Sequence, residues 1–455
     1  MIDTERINAP DLFRRTFQGR SPRVLAFAPG RANIIGEHVD YSIKQDTSGS
    51  IPGHNYAIPF ALDKGIYVAL KPNGGNKMLI HSEDFGGSFE VDLAAIPSGR
   101  TGQSWQNYIL GVLSTAKREE FPLSGGELLI AGDLPMGGGL SSSAALTCSL
   151  NLALDRAFGW NQSKIAIAKL AQQAEHSEFV GVKCGLLDQL ASLLPEKGKA
   201  VFLDFGEMEN YRLVDLSFLE RLNYEFILVN SGVARGLGGT FYNQRRTEVE
   251  MAGRMMAEVF HRPNQNNVSN YFYAGLASET ARALFLSAAG SQVSEASQPD
   301  VCLKRALHVL EEKERTHGFA RAAEHNDLKT CCGLINACGV SLSMSGLFQA
   351  SATVFRNAEG AVTETRDYLD LLRASLIAAM GGCDLPSGFR LMGGGGGGYI
   401  IGLVPKGYLE TERRMAIVNA DYDARQRSAG FGDIYSSSLL SVVPSSGGEA
   451  ESLAA

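Results

Sequence analysis

The twelve residues Gly30-Arg31-Ala32-Asn33-Ile34-Ile35-Gly36-Glu37-His38-Val39-Asp40-Tyr41 hold an arginine, a glutamate, a histidine and an aspartate beside two glycines. Carboxylates and an imidazole this close together can hydrogen-bond neighbouring hydroxyls of a polyol. A cation among them suits a site where charge is transferred. So many polar side chains argue against a core strand, while Ile34 and Ile35 imply partial burial. A surface turn with a local ion pair is the plainer alternative. Asp188 is a second outlier, inside Cys184-Gly-Leu-Leu-Asp-Gln-Leu-Ala-Ser-Leu-Leu. A carboxylate among leucines at helical spacing is costly unless it is paired or exposed on one face, so it reads equally as a buried cap or ion pair and as a general base. Arg31 is the partner to expect, because a guanidinium beside a base keeps it ionised and stabilises a developing phosphoryl charge.

The third candidate is the stretch Ala131–Ala145, AGDLPMGGGLSSSAA. The apolar run Leu128–Ala131 reads as a buried strand that breaks at Gly132-Asp133 and Pro135. Three glycines follow, and then Leu140-Ser-Ser-Ser-Ala-Ala-Leu, whose serines suit a helix start. A strand, a glycine loop and a helix N-terminus in that order form an anion site, with a phosphate chain as the expected ligand. The same geometry serves purely structural turns, but the hydroxyls add the capacity to ligate Mg²⁺. No Walker A motif is present: Gly198-Lys199 is followed by Ala200. Near the end, six consecutive glycines, Gly393–Gly398, lie between two apolar runs. They match G-x-G-x-x-G only formally, since the β-type run Tyr399–Val404 follows where a dinucleotide site needs a helix. This turn is expected to close over the first loop.

The elements that must position these residues follow from periodicity. Strands are expected at Val24–Ala28, Tyr56–Leu62, Gly65–Leu70, Val201–Asp204 and Glu225–Asn230. Helices are expected at Trp105–Thr115, Leu140–Phe158, Ser163–Glu178, Thr240–Glu258, Val301–Glu324 and Asp327–Cys338. Tyr242, in the first turn of the helix at 240, could reach a ligand or simply pack. Ser42–Pro52 reads as a loop, and Ser445–Ala455, small and polar, as disordered.

A chain of 455 residues suggests two domains, and 44% apolar content is ordinary for a globular protein. A net charge of −7 without a basic block argues against nucleic acid as the partner. The N-terminus has acids and no apolar h-region, and no run approaches the length of a membrane span, so a cytoplasmic protein is expected. Seven cysteines without a CxxC pair suggest reduced core thiols, and neither they nor the histidines have transition-metal spacing.

These pieces, in this order, resemble the GHMP small-molecule kinase superfamily, and within it the galactokinases, over nearly the whole chain. The segment 30–41 is close to the galactokinase signature and Pro135–Ala145 looks like the family's ATP loop. Ala174-Glu175-His176 with Cys184-Gly185-Leu-Leu-Asp188-Gln189 is similar to the segment bearing a metal-binding glutamate and the catalytic aspartate. Trp105-Gln-Asn107-Tyr108, Tyr242-Asn-Gln-Arg-Arg and the glycine turn are similar to further family blocks. The resemblance implies an α+β fold of two domains, 1–210 and 211–455, with mixed and antiparallel sheets covered by helices and the site in the cleft between them. It implies ATP-dependent phosphorylation of galactose at the anomeric hydroxyl, with ATP and Mg²⁺ as cofactors, by a monomer that uses neither nucleic acid nor membrane.

Carried over by residue, Glu37, His38, Asp40, Gly185 and Tyr242 bind the sugar. Asp188 orients or deprotonates its hydroxyl, assisted by Arg31. Gly137, Gly138, Gly139, Leu140, Ser141, Ser142 and Ser143 hold the nucleotide phosphates, and Ser143, or its neighbour Ser142, holds Mg²⁺ together with Glu175. The chain departs from the pattern in an insertion from Ser42 to about Pro52, and in one extra residue between Glu175 and Asp188, which makes Glu178 a rival ligand. It departs again at Ser343-Met344-Ser345-Gly346-Leu347 and at Met392. A kinase for N-acetylgalactosamine, another sugar or a uronic acid, and a sugar and ATP sensor without turnover, are the alternatives.

Overall fold

The computed structural model describes residues 2–39, 55–135, 139–182, 184–233, 244–245, 247–252, 299–343, 345–350, 353–356, 362–381, 385–393 and 395–453. The strand carrying the polar signature, β1 (Val24–Ile35), does not stop at Ala28. It runs on through Arg31 and Asn33, and every residue from Ala28 to Ile35 is buried. Arg31 finds an acid there and the Asn33 and Ile34 main-chain carbonyls accept from Arg390, whereas the buried Asn33 side-chain amide has no hydrogen-bond partner among the described residues. The two strands expected next are one, β2 (Tyr56–Pro72), antiparallel to β1 from Val24↔Leu70 to Ile35↔Ile58. Asp63 and Lys64 interrupt the apolar pattern without breaking the strand, since both are only half-buried.

Among the described residues one large sheet follows the order β14 (Glu449–Ser452), β1, β2, β5 (Gly126–Gly132), β3 (Lys77–Ser82), β4 (Gly87–Asp92), with β6 (Lys199–Asp204) branching from β2 and β7 (Arg212–Asp215) from β6. The β3–β5 pair is parallel and the rest are antiparallel, the mixed sheet expected. A second, antiparallel sheet has the order β11 (Gly388–Leu391), β12 (Tyr399–Pro405), β8 (Tyr224–Asn230), β13 (Ser438–Ser441), and β9 (Thr353–Arg356) pairs with β10 (Val362–Arg366).

Alternation along β1, β2 and β5 gives the large sheet two apolar faces. One is covered by α1 (Ala9–Thr16), whose Phe13 packs with Phe17 against Leu25, Tyr67 and Leu129. The other lies under α2 (Ser104–Arg118), α3 (Ser142–Phe158), α4 (Lys164–His176) and α5 (Leu187–Leu193). Burial of each Leu, Ile or Phe there contributes roughly 1.5–3 kcal/mol. Local signals fix the ends: Ser163 caps α4 at the Ala166 N–H, and Gly159, at φ 70°, stops α3. After α6 (Ser217–Arg221) come α7 (Pro299–Glu324), α8 (Leu328–Leu342), α9 (Tyr368–Ala379) and α10 (Glu412–Ser428). The α7 helix lies against β1 and β2, and the Phe60 and Phe226 rings, 5.1 Å apart, join the cores of the two sheets.

The tail expected to be disordered instead supplies β14, in register with β1 from Val24↔Ser452 to Phe27↔Glu449. Its residues are polar because an edge strand buries only part of each side chain. Most of the helix expected at 240–258 lies outside the described residues, of which 247–252 are helical. No helix among the described residues is long and apolar enough to cross a membrane.

Candidate active site

The glycine–serine stretch connects β5 to α3 as expected, and its described part, Gly139-Leu140-Ser141, lies against β1. The Arg31 N–H donates to the Leu140 carbonyl at 3.2 Å. A Cβ on Gly30 would fall 2.6 Å from Leu134 and 2.8 Å from that same carbonyl, so the loop lies this close only over a glycine. Ser141 is the N-cap residue of α3, but its backbone is left-handed, φ 60° and ψ 43°, and it makes no side-chain cap hydrogen bond. A capping serine ordinarily has an extended backbone. Here the hydroxyl is forgone as a cap and left buried without a partner. The hydroxyl and the first-turn N–H groups of α3 are therefore available to an anion. Gly137 and Gly138 lie outside the described residues; Ser142 and Ser143 open the helix.

Asp188, in the first turn of α5, meets Arg31 directly. Arg31 Nε and Nη2 both lie 2.8 Å from Asp188 Oδ1, and Nη1 donates to the Gly139 carbonyl at 2.7 Å. One guanidinium thus ties the acid to the glycine loop. Its own side chain is 5% exposed, whereas that of Asp188 is 31% exposed, so the acid is both ion-paired and open to a ligand. Gly185 lies half-buried at the same helix start.

Glu175, near the end of α4, is buried, and burial followed by the Asp188 charge pushes its carboxyl up to about 7, with Gln189, Ser143 and Thr147 pulling it back. Gln189 Nε2 donates to Glu175 Oε1 at 2.8 Å. Tyr108 stands beside the same group, and burial and the Glu175 charge raise its phenol to about 12. Glu175 and Ser143 are therefore together, whereas Glu178 is exposed. Among the described residues no three His, Cys, Asp or Glu side chains cluster as a cage. One carboxyl with a serine hydroxyl instead suits Mg²⁺, which takes one or two carboxylates and keeps waters and phosphate oxygens for the rest. A buried Glu175 carboxyl raised by its burial and by the Asp188 charge, and an orphaned Ser141 hydroxyl, fit a cation and a phosphate chain.

The sugar signature turns at Gly36, φ 95°, where a Cβ would meet the Tyr56 carbonyl at 2.4 Å, and at His38, φ 60°. Glu37 is buried, and its Oε1 accepts from Arg390 Nη1 and Nη2 at 3.2 Å and from the Gly393 N–H at 2.8 Å. The His38 ring lies 4.4 Å from that of Phe348. The final glycine turn therefore reaches Glu37; its other hydrogen bonds run from the Ser231 N–H to the Gly398 carbonyl and from the Gly398 N–H to the Val233 carbonyl. Asp40 and Tyr242 lie outside the described residues.

Three residues here escaped the sequence reading. Glu312 of α7, fully buried, accepts from the N–H groups of Gly36 and Glu37 at 2.7 and 3.3 Å, from Cys338 Sγ at 3.1 Å and from Arg315 Nε at 2.7 Å. Burial alone would raise its carboxyl, but Arg315, His308 and Cys338 outweigh that and hold it at about 2. His308 Nε2 faces the Glu37 carbonyl at 3.2 Å and Nδ1 faces Ser341 Oγ at 2.8 Å; burial lowers its imidazole to about 4. Arg390, fully buried, also donates to the Asn33, Ile34 and Leu391 carbonyls. The available signal was the His308–Glu312–Arg315 spacing on one face of α7.

The family model for the GHMP kinases N terminal domain matches residues 107–196, and that for the galactokinase galactose-binding signature matches residues 11–43. A galactokinase of Thermotoga neapolitana is 32% identical over 383 residues, covering 84% of this chain and 90% of the relative. One of Chloroflexus aurantiacus is 33% identical over 393 residues, 86% of this chain and 87% of the relative. The crystal structure of Lactococcus lactis galactokinase complexed with galactose superposes with a TM-score of 0.74 at 26% identity, covering 96% of this chain and 98% of that one. With the galactose-binding signature matched and identities of 32–33% to galactokinases over 84–86% of its length, this chain belongs to the galactokinase family of GHMP kinases.

Proposed function

We propose that this protein transfers the terminal phosphoryl group of ATP to the anomeric hydroxyl of galactose. The observation that carries the reading is the Arg31 guanidinium, which bridges Asp188 and the Gly139 carbonyl and so sets an acid beside a phosphate-type loop. Asp188 orients the sugar hydroxyl and accepts its proton. Arg31 fixes that carboxyl and, with donors left over from its five N–H groups, faces the charge that develops on the transferred phosphoryl. Gly139, Leu140, Ser141 and Ser142, with Gly137 and Gly138, offer N–H and hydroxyl groups to the phosphates. Ser143 and Glu175 would hold Mg²⁺, which neutralises phosphate charge when bound. Glu37, His38, Asp40, Gly185 and Tyr242 bind the sugar, Glu37 through the oxygen that Arg390 and Gly393 leave to it. The reading includes domains 1–210 and 211–455 about the cleft, and a cytoplasmic monomer whose partners are sugar and ATP.

Phosphoryl transfer with little covalent chemistry by the protein depends on positioning and charge, which is what these residues supply. The test is ADP release by the purified chain over hexoses, amino sugars and uronic acids, galactose and N-acetylgalactosamine included. Asp188→Asn should cut kcat by roughly 10²–10⁴-fold while sugar affinity stays within about threefold, since the carboxylate acts chiefly in the transition state. Turnover on none of the sugars would overturn the reading, and a parallel loss of sugar binding in Asp188→Asn would overturn the role given to that acid.

A further inference from the structure

Gln189 follows Asp188 in the first turn of α5, and its side chain is completely buried. Its Nε2 donates to Glu175 Oε1 at 2.8 Å and lies 3.7 Å from Cys184 Sγ. Its Oε1 is buried with no hydrogen-bond partner. With the Glu175 carboxylate ionised, the form that binds a cation, exchanging the two ends of the amide would press Oε1 against a carboxylate oxygen, so the NH₂ group faces the acid. A buried carbonyl oxygen unpaired among the described residues costs roughly 1–3 kcal/mol, so its persistence beside the Glu175 carboxyl calls for a partner that those residues do not supply.

Oε1 and Nε2 belong to one planar amide, so the hydrogen bond of Nε2 to Glu175 holds this oxygen within a few ångström of that carboxyl. Mg²⁺ gives up its waters reluctantly, and each water it keeps has two protons to place. We infer that Gln189 is a positioning residue for the metal: its NH₂ group fixes the rotation of the Glu175 carboxylate, and its orphaned Oε1 accepts a hydrogen bond from a metal-bound water. The inference rests on the reading that Glu175 holds the cation. Partners of this kind around a metal ligand are typically worth 10–100-fold in affinity.

The experiment is a titration of Mn²⁺, as a spectroscopic substitute for Mg²⁺, into the full chain with ADP and no sugar, read by electron paramagnetic resonance. Gln189→Met keeps the length and removes both polar atoms; Gln189→Asn keeps an amide but withdraws it by one carbon. Each should weaken Mn²⁺ binding about tenfold or more, with galactose affinity, measured separately, within about twofold of the parent. Glu175→Gln is the control. If it loses Mn²⁺ while either folded Gln189 variant binds within about twofold of the parent, the role of Gln189 is refuted and the metal reading stands. If Glu175→Gln binds as well as the parent, the metal reading itself fails.

Discussion

Glu312→Gln tests whether α7 holds the sugar-binding turn by charge. The parent carboxylate takes Gly36 N–H, Glu37 N–H and Cys338 on Oε1 and Arg315 on the other oxygen. Glutamine can keep a carbonyl toward the first three, but it sets an NH₂ group against the Arg315 guanidinium. Arg315 then retains the half-exposed Glu311, at 2.9 Å, as its charged partner, beside a long contact to the His308 carbonyl at 3.5 Å. Removing one partner of a buried pair costs about 3–5 kcal/mol, and the surviving Glu311 contact lowers that to about 2–4 kcal/mol at neutral pH. Proton linkage gives an independent figure. Glu312 is held at about 2 against an ordinary 4.5, and that displacement is worth about 3 kcal/mol. Because the folded value is depressed, the unfolded chain takes up the proton first as pH falls below 4.5. The stabilisation is whole above that value and is lost by about pH 2. Urea unfolding at stepped pH should therefore show parent and variant about 3 kcal/mol apart at pH 7 and converging from pH 4.5 downward. A neutral acceptor binds the Gly36 N–H less strongly than a charged one by about 1 kcal/mol, so the galactose KM should rise roughly fivefold to tenfold while the ATP KM holds within about twofold. A gap independent of pH would refute the electrostatic argument. Lost stability with an unchanged galactose KM would refute the claim that Glu312 shapes the turn.

Ser141→Gly should relieve a left-handed backbone that costs a β-carbon about 1–2 kcal/mol, so the variant should melt no lower than the parent while its ATP KM rises several-fold for want of the hydroxyl. Equal ATP KM would show that the orphaned Oγ serves no ligand. Glu175→Gln should make the metal-free chain more stable at pH 8 by about 1–3 kcal/mol, since a buried acid held at about 7 destabilises the fold wherever the unfolded chain is ionised. Saturating Mg²⁺ and ADP should reverse that order in a thermal melt, and a metal-free parent more stable than the variant would contradict it.

The parts of the site legible in the sequence were those whose residue types were out of place. A carboxylate among leucines had to be paired or exposed, and Asp188 is both; Arg31 was the partner expected for it, and Arg31 meets it at 2.8 Å. What escaped was set by tertiary register. The α7 helix was expected from Val301, but Glu311, Glu312 and Glu314 are indistinguishable by composition. Glu312 alone is fully buried among them, because it faces Gly36, 276 residues away in the chain. Arg390, in the short strand Gly388–Leu391, has no local signal in its neighbours that it is buried. It is buried because the Asn33 and Ile34 carbonyls and Glu37, more than 350 residues earlier, need its donors. The same long-range pairing let β1 run past Ala28, where local polarity alone forbade it.

The two acids of the site differ in one respect that supports the roles proposed for them. Asp188 has a counter-ion from the protein at 2.8 Å and is 31% exposed, so it is held in place by an ion pair and still open to a substrate hydroxyl. The hydrogen bonds to Glu175 come from neutral groups, and burial and the neighbouring Asp188 charge push its carboxyl up to about 7. An acid in that state gains most from an added cation. Binding a divalent ion there removes both the cost of burial and the repulsion from Asp188 at once, whereas at Asp188 the same ion would compete with Arg31 for an oxygen already taken. If the guanidinium were moved from one acid to the other, the metal would follow the vacated carboxylate, and the hydroxyl would lose the base that stands nearest the phosphate loop.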